Sequence, residues 1–282
     1  MPDGAAPFTL RAGRVPLLIS LPHVGSEIPW ELRERLQDRA LASEDSDWHL
    51  EAVYAPIAEA LGASLLVPRF SRYVIDLNRP PDDIVMYAGA NNTELCPTRF
   101  FDGTPLYREG CEPDAVERAR RLKLYWQPYH AAIERELARL RALHGRALLW
   151  DGHSIESELP WLLEGRLPEL NLGSNAAQSC SPAARAAVAA VLAAQRSYSQ
   201  VVTAASRAAT SPATTAARPR AGRRCRWRWC RPSTCWKTAC TRRRARCSRP
   251  SSRSCNRCCR PACRPSWTPN DSPPRSLALA AP

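Results

Sequence analysis

The chain has 282 residues, of which 44% are hydrophobic and 24% are charged, and its formal net charge is +13. This length allows one large domain or two small ones. The sequence contains no charged-then-apolar leader and no apolar run long enough to cross a bilayer, so we expect neither a secreted nor a membrane-spanning protein.

The predicted elements of the first half begin with a buried strand, VPLLISLP, at residues 15–22. The next stretch has helical spacing of its apolar residues, with Ser43 as the predicted N-cap and Gly62 as the stop. Two further strands are predicted at 63–70 (ASLLVPRF) and 71–78 (SRYVIDLN). Strands and a helix therefore already alternate within the first eighty residues.

The second half continues the alternation. A long helix is predicted over 113–145, with a kink or break at Pro128. A strand, RALLWDGHS, follows at 146–154, a helix capped by Ser181 comes next, and SYSQVV begins a last strand at 197–202. Strands interleaved with long helices predict an α/β fold with a mainly parallel sheet, in which ligands bind at the carboxyl ends of the strands.

Charge and cysteine content change after Val202. Residues 1–202 carry 21 basic and 26 acidic side chains, whereas residues 203–282 carry 19 basic side chains and one acid, Asp271. Nine of the twelve cysteines also follow Val202. We predict a cytoplasmic α/β domain with reduced thiols at 1–202, and a separate basic tail at 203–282.

Polar residues at the predicted strand ends indicate where chemistry takes place. His23 follows the first strand, Asp151 and His153 follow another, and Asp47 and His49 lie near a helix start. Two histidines and a carboxylate converging at one sheet edge fit a hydrolytic zinc-type site with an open position for water. The alternative, that each side chain caps a helix or binds backbone, stays open.

Three other titratable residues have simpler interpretations. His130 and His144 lie on the long helix and are expected to be surface or packing residues. Glu27 follows His23 by four residues and is a candidate ligand or base, although an acid near a helix start explains it equally well.

A second group of polar residues lies in FSRYVIDLNRPPDD. Arg72 and Arg79 can each bind a carboxylate through two hydrogen bonds, with Asn78 beside them. The alternative is that Arg79 pairs with Asp76 or Asp82 and holds the loop. Two arginines beside a metal indicate a small acidic substrate rather than a polymer.

Seven motifs together resemble the N-formylglutamate amidohydrolase family: PLLISLPHVG, SDWHL, SRYVIDLNRPPD, CPTRFFDGTPLY, YWQPYHAAI, LLWDGHSI and EGRLPELNLG. The resemblance runs from about residue 14 to residue 202. It implies a zinc-carboxypeptidase-like α/β hydrolase that uses a divalent metal ion to cleave N-formyl-L-glutamate into formate and glutamate, a step of histidine degradation.

The resemblance also implies roles for individual residues. His23, Asp47 and His153 match the family's PH, DWH and HS motifs and would be the metal ligands, with zinc as the expected ion. Arg72 and Arg79, with Asn78 between them, would hold the substrate carboxylates. No role carries over to Glu27, and the oligomeric state is left open.

The tail is predicted to be disordered. Residues 203–282 contain no Val, Ile, Phe, Tyr, His, Glu or Gln, and too little apolar area to offset chain entropy. Arginine beside tryptophan would also fit nucleic-acid binding, and the nine cysteines would fit metal binding, but they follow no zinc-ligand spacing and bring no histidine.

A shifted reading frame explains the tail composition. The resemblance leads us to expect the sequence NGRFKGGYITRHYG after Val202. If the reading frame of TAASRAATSPATTA (203–216) is moved back by one nucleotide, the possible codons permit this sequence at all fourteen positions. We therefore predict a frameshift after Val202 that removes the general-base Glu and impairs the enzyme. The alternative is an inactive product whose basic tail binds polyanions non-specifically.

Overall fold

A seven-stranded sheet organises the part of the chain that the computed structural model describes, namely residues 6–84, 91–162, 165–173, 179–203 and 223–231. The strands are β1 (Phe8–Arg11), β2 (Leu17–Ser20), β3 (Ser64–Pro68), β4 (Leu148–Glu156), β5 (Leu170–Gly173), β6 (Gln200–Thr203) and β7 (Arg223–Arg231). The α-helices are α1 (Trp30–Arg33), α2 (Leu50–Leu61), α3 (Ala115–Arg121), α4 (Gln127–His144) and α5 (Pro182–Ala194). A 3-10 helix spans Asp38–Ala42, and a π-helical turn spans Leu122–Trp126.

The sheet is mainly parallel, as the sequence predicts. Its strand order is β1-β3-β2-β4-β7-β5-β6. The pairs β3–β2, β2–β4, β4–β7 and β5–β6 are parallel, whereas β1 runs antiparallel to β3, and β5 runs antiparallel to β7. The mixed α/β class with helices flanking a mainly parallel sheet is confirmed.

Helices cover both faces of the sheet centre because neighbouring residues of a strand point to opposite faces. On one face, Leu18 of β2 belongs to an apolar cluster with Ile133 of α4. On the other face, Ile19 of β2 belongs to a cluster with Tyr54 of α2. These two clusters anchor β2, which leads directly into the candidate site.

Several predicted elements are present with small changes in their bounds. The predicted strands at 15–22, 63–70, 146–154 and 197–202 correspond to β2, β3, β4 and β6. The hydroxyl of Ser181 accepts a hydrogen bond from the Ala184 amide and caps α5, as predicted. Gly62 and Gly145 end α2 and α4 in the left-handed conformation, which glycine adopts without steric strain.

The helix predicted from Ser43 begins later, at Leu50. Ser43 and His49 both have left-handed backbone conformations, with φ of 48° and 63°, so neither can lie inside a right-handed helix. Ser43 therefore follows the 3-10 helix rather than capping α2. Asp47 lies in the short segment between Ser43 and the start of α2.

Residues 71–78 form a buried loop rather than the predicted strand. The backbone amide of Asp76 donates to the carbonyl of Leu95 at 2.7 Å, and the backbone amide of Val74 donates to the carbonyl of Ser71 at 2.9 Å. These backbone groups therefore form hydrogen bonds that do not belong to a β-ladder. A short apolar run has the same pattern in a buried loop as in a buried strand, which is why the sequence alone did not separate them.

The long predicted helix at 113–145 is divided into three parts: α3, the π-helical turn and α4. Pro128 lies in the first turn of α4, directly after the π-helical turn, so the helix is interrupted close to the predicted position.

β4 has the nine residues predicted but lies two positions further along the chain, so Asp151 and His153 lie inside it rather than past the end of its apolar part. It pairs along all nine residues with β7, whose backbone lies between β4 and β5. For Arg223–Arg231 the structure thus differs from the predicted disorder. The sequence RCRWRW alternates basic residues with aromatic or thiol residues, which is the two-residue period of a strand. Pairing with β7 also satisfies the backbone hydrogen-bonding groups along β4.

The rest of the predicted tail, 204–222 and 232–282, lies outside the described residues. Contacts group β7 with the α/β unit, which spans Met1–Cys235. The domain boundary after Val202 stays a prediction. No helix within the described ranges is both long enough and apolar enough to cross a membrane.

Candidate metal centre

Three buried side chains from separate elements meet beside the sheet. His23 follows β2, Asp47 lies in the turn before α2, and His153 belongs to β4. Each is at most 3% exposed. A backbone hydrogen bond of 2.8 Å from the Asp47 amide to the His23 carbonyl ties the first two segments together.

The distances between the three residues suit a shared cation. One ligand atom from each lies within 4.8 Å of the others. The Oδ2 atom of Asp47 is 3.3 Å from Nδ1 of His153 and 3.9 Å from Nδ1 of His23. Within the described residues, Asp47 Oδ2 and His153 Nδ1 have no hydrogen-bond partner. Buried polar atoms without partners are unfavourable, and a metal ion would satisfy both.

A carboxylate stands behind each histidine. Nε2 of His23 lies 2.7 Å from Oδ1 of Asp76, and Nε2 of His153 lies 3.3 Å from Oδ2 of Asp151. A carboxylate only accepts hydrogen bonds when ionised, so the short contact with Asp76 places the proton of His23 on Nε2. His153 has a carboxylate oxygen 3.3 Å from each ring nitrogen, and a cation beside Asp47 would select the form with the proton on Nε2. This is the tautomer that a metal ligand requires.

Asp151 is itself held from a second side. The hydroxyl of Ser20 on β2 donates to Oδ1 of Asp151 at 3.1 Å, and it lies 3.0 Å from the hydroxyl of Tyr129 on α4. Parallel pairing of β2 with β4 sets Ser20 opposite Asp151. The orientation of His153 therefore depends on strand register and on helix packing.

The local electrostatics favour a neutral His23 and ionised Asp47 and Asp76. Burial, aided by the positive charge of Arg72, lowers the pKa of His23 to about 4. Burial alone would raise the pKa of Asp47, but the contact with His153 and the proximity of His23 and Arg72 outweigh it and lower that pKa. The pKa of Asp76 lies well below its ordinary value because His23 and Arg72 outweigh the effect of burial.

Arg72 lies next to this cluster. Its Nη2 pairs with Oδ2 of Asp76 at 2.5 Å, its Nη1 is 3.5 Å from Nδ1 of His23, and its guanidinium lies 4.5 Å from the ring centre of Phe101. The side chain is buried. The structure thus places a permanent positive charge at the edge of the candidate metal centre.

Asn78 and Arg79 are arranged around Asp76 as well. The backbone amide of Asn78 donates to Oδ1 of Asp76 at 2.8 Å. Nε of Arg79 is 4.0 Å from Oδ2 of Asp76, and its Nη2 donates to the hydroxyl of Thr93 at 2.5 Å. The pairing of Arg79 with Asp76 that the sequence left open is therefore present, and binding of substrate by these residues stays a prediction.

The remaining candidates lie elsewhere. Glu27 pairs with Arg69 at 2.8 Å on the surface. His49 is exposed at the N-cap of α2, and His144 is exposed in the last turn of α4. His130 is buried, and its Nε2 lies 2.9 Å from the carbonyl of Leu77, so it contacts the loop that carries Asp76.

The sequence did not assign the roles of Asp76 and Asp151 behind the histidines. For Asp151 a signal was available, because residues two apart in a strand share a face, and Asp151 is two residues before His153. For Asp76 no local signal exists, since it reaches His23 from 53 residues away.

Two imidazole nitrogens and one carboxylate oxygen are donors that suit zinc and similar divalent ions. Three protein ligands with a further position for water or substrate are typical of catalytic rather than structural zinc sites. The residues present therefore fit a divalent metal ion used in hydrolysis.

Comparisons with known proteins agree with this chemistry. The model of one family, N-formylglutamate amidohydrolase, matches residues 15–224, which extends the resemblance past Val202. The chain is 52% identical to an N-formylglutamate deformylase of Pseudomonas aeruginosa over 195 residues, which are 69% of this chain and 73% of that protein. It is 46% identical to an N-formylglutamate deformylase of Pseudomonas putida over 195 residues, which are 69% of this chain and 72% of that protein.

Two solved structures share the fold. One is an N-formylglutamate amidohydrolase from Ralstonia eutropha, with a TM-score of 0.65 and 22% identity over 80% of this chain and 87% of that one. The other is a gene product from Agrobacterium tumefaciens, with a TM-score of 0.59 and 18% identity over 82% of this chain and 87% of that one. At these identities the likeness concerns the fold alone.

Proposed function

Because the chain belongs to the N-formylglutamate amidohydrolase family, we propose that it hydrolyses the formamide bond of N-formyl-L-glutamate, releasing formate and L-glutamate. The buried cluster of His23, Asp47 and His153 carries this proposal, since a cation would satisfy Asp47 Oδ2 and His153 Nδ1, which have no hydrogen-bond partner among the described residues, and hydrolysis needs an activated water. The two Pseudomonas relatives, both N-formylglutamate deformylases, support the choice of substrate.

The proposed cofactor is one divalent ion, most simply zinc, held by His23, Asp47 and His153. Such an ion, when bound, lowers the pKa of a bound water towards about 7 and polarises a carbonyl oxygen. Asp76 and Asp151 keep the two histidines in the tautomer that leaves Nδ1 free to bind. The low pKa values of His23 and Asp47 keep both residues in their metal-binding forms at neutral pH.

The substrate carboxylates are assigned to Arg72, Arg79 and Asn78. A guanidinium has five N–H donors, so the pairing of Arg72 with Asp76 leaves donors for a ligand. Its buried positive charge beside His23 also favours an anionic substrate over a neutral one. The partner is therefore a small acid, and no specific nucleic acid or membrane is proposed.

The chain as written is proposed to be impaired by a frameshift after Val202. The fourteen-position agreement after a one-nucleotide slip supports this. So does β7, which pairs with the strand that bears His153 and contains no Asp or Glu among Arg223–Arg231 that could act as a general base. Non-specific binding of polyanions by the basic tail is the alternative activity.

We also propose a zinc-carboxypeptidase-like classification of the fold, a place in histidine degradation, a cytoplasmic location and disorder of the tail outside β7. None of them affects the central experiment. That experiment measures formate released from N-formyl-L-glutamate, with and without added Zn²⁺, by the 282-residue chain and by a chain whose frame is corrected after Val202. Release by neither chain, with zinc present, would refute the proposed activity.

A further inference from the structure

The loop that carries the proposed substrate residues has no regular secondary structure, yet it is buried. Residues 71–80 include Arg72, Asp76, Asn78 and Arg79. A segment of this kind must satisfy its backbone carbonyls by contacts other than a β-ladder. The source of those contacts decides how firmly the loop is held.

Three side chains from one helical stretch donate to three carbonyls of this loop. Nη1 of Arg121 donates to the carbonyl of Val74 at 3.2 Å. Nε1 of Trp126 donates to the carbonyl of Arg79 at 2.9 Å. Nε2 of His130 lies 2.9 Å from the carbonyl of Leu77, and because a carbonyl only accepts, this nitrogen carries the proton. The last two contacts flank Asn78 on both sides.

The π-helical turn makes this alignment possible. Arg121 and Trp126 are five residues apart, and in a regular α-helix of 3.6 residues per turn they would point about 140° away from each other. The turn Leu122–Trp126 instead contains a bond from the Gln127 amide to the carbonyl of Leu122, the five-residue spacing of a π-helix. The extra residue brings Arg121 and Trp126 towards the same side.

Beyond the π-helical turn the spacing returns to that of an α-helix. Trp126 and His130 are four residues apart, so they share a face. Their rings stack with centres 3.7 Å apart and planes 21° apart. Each ring therefore holds the other in the orientation that directs its N–H group at the loop.

We propose that Trp126 and His130, brought into line by the π-helical turn, are positioning residues for the substrate site. They hold the carbonyls of Leu77 and Arg79, and through them the backbone from which Asn78 and Arg79 extend. The inference rests on the proposed function for the substrate role of that loop, whereas the holding of the loop backbone can be measured without it.

A matched pair of variants separates hydrogen bonding from packing. Glutamine and methionine have nearly the same length and shape, but only glutamine has an N–H donor where His130 has Nε2. His130→Gln should keep the bond to Leu77, and His130→Met should lose it. Trp126→Phe is an independent test, since it keeps an aromatic ring against His130 and removes the N–H that Arg79 accepts.

Two measurements on the full-length chain report how firmly the loop at residues 71–80 is held. Hydrogen exchange follows the amides of Asp76 and Arg79, which donate to the carbonyls of Leu95 and Asp76. Calorimetry with Zn²⁺ present follows the binding of glutarate, a dicarboxylate as long as the glutamate moiety. We expect His130→Met and Trp126→Phe to speed exchange at these amides and to weaken glutarate binding about five- to tenfold, the scale of one lost hydrogen bond. His130→Gln should stay within about twofold on both measures.

Equal behaviour of His130→Gln and His130→Met, together with unchanged exchange in Trp126→Phe, would overturn the inference, because the helix would then act by packing alone. If the unaltered chain binds no glutarate, the substrate role of Asn78 and Arg79 fails. The exchange comparison would in that case still decide whether Trp126 and His130 hold the loop. Failure of the inference and failure of the proposed function are thus distinguished.

Discussion

Replacing Asp76 or Asp151 by asparagine tests the candidate metal centre while leaving all three proposed ligands in place. Asparagine has the shape of aspartate but lacks the charge, so its hydrogen bond to a histidine Nε2 is weaker. If these carboxylates orient His23 and His153, both changes should weaken metal binding without unfolding the protein.

The two changes should differ in size. Loss of a group that hydrogen-bonds to a metal ligand commonly lowers metal affinity by about 10- to 100-fold. Asp151 contacts His153 at a long 3.3 Å, so we expect Asp151→Asn to lie near tenfold, or about 1.4 kcal/mol. Asp76 contacts His23 at 2.7 Å and also neutralises the buried Arg72, so we expect Asp76→Asn to lie near 100-fold, or about 2.7 kcal/mol.

The assay is competition for Zn²⁺ with a chromogenic chelator, on protein whose fold is checked by circular dichroism. Glu27→Gln is the matched control, because it also neutralises a carboxylate that is paired with an arginine, but on the surface. Metal affinities within twofold of the unaltered chain for both variants, or a larger loss for Asp151→Asn than for Asp76→Asn, would refute this account of the site.

Four other outcomes are expected. His153→Ala should remove the metal from purified protein, measured by elemental analysis, and unchanged metal content would reject His153 as a ligand. In a frame-corrected chain, Arg72→Lys should lower kcat/KM for N-formyl-L-glutamate at least tenfold while the metal is retained, because lysine cannot form a two-bond contact with a carboxylate; an unchanged kcat/KM would leave Arg72 a structural role only. Correcting the frame after Val202 should raise both soluble yield and formate release by orders of magnitude, and comparable values in the two chains would show that the tail is no lesion. Any polyanion binding by the uncorrected chain should fall steeply with added salt, as charge-driven binding does.

The periodicity of the apolar residues, together with helix caps and glycine stops, was sufficient to predict most of the helices and strands. The apolar runs of β2 and β3, the Ser181 cap of α5 and the stops at Gly62 and Gly145 are local features, determined by a few neighbouring residues. The loop at 71–78 was predicted as a strand because the local sequence does not show whether a partner strand lies beside it. β7 was missed because an arginine-rich composition concealed its two-residue alternation.

By itself, the sequence determined the α/β class, the residues His23, Asp47 and His153 as candidate ligands, and the resemblance to one family, because these depend on local patterns and on motifs in a fixed order. Only the tertiary structure brought the ligand atoms within 4.8 Å and set Asp76 and Asp151 behind the histidines. It also directed Trp126 and His130 at the loop. The physical reason is sequence separation: hydrogen bonds between residues some fifty positions apart depend on strand register and helix packing, which no short stretch of the chain encodes.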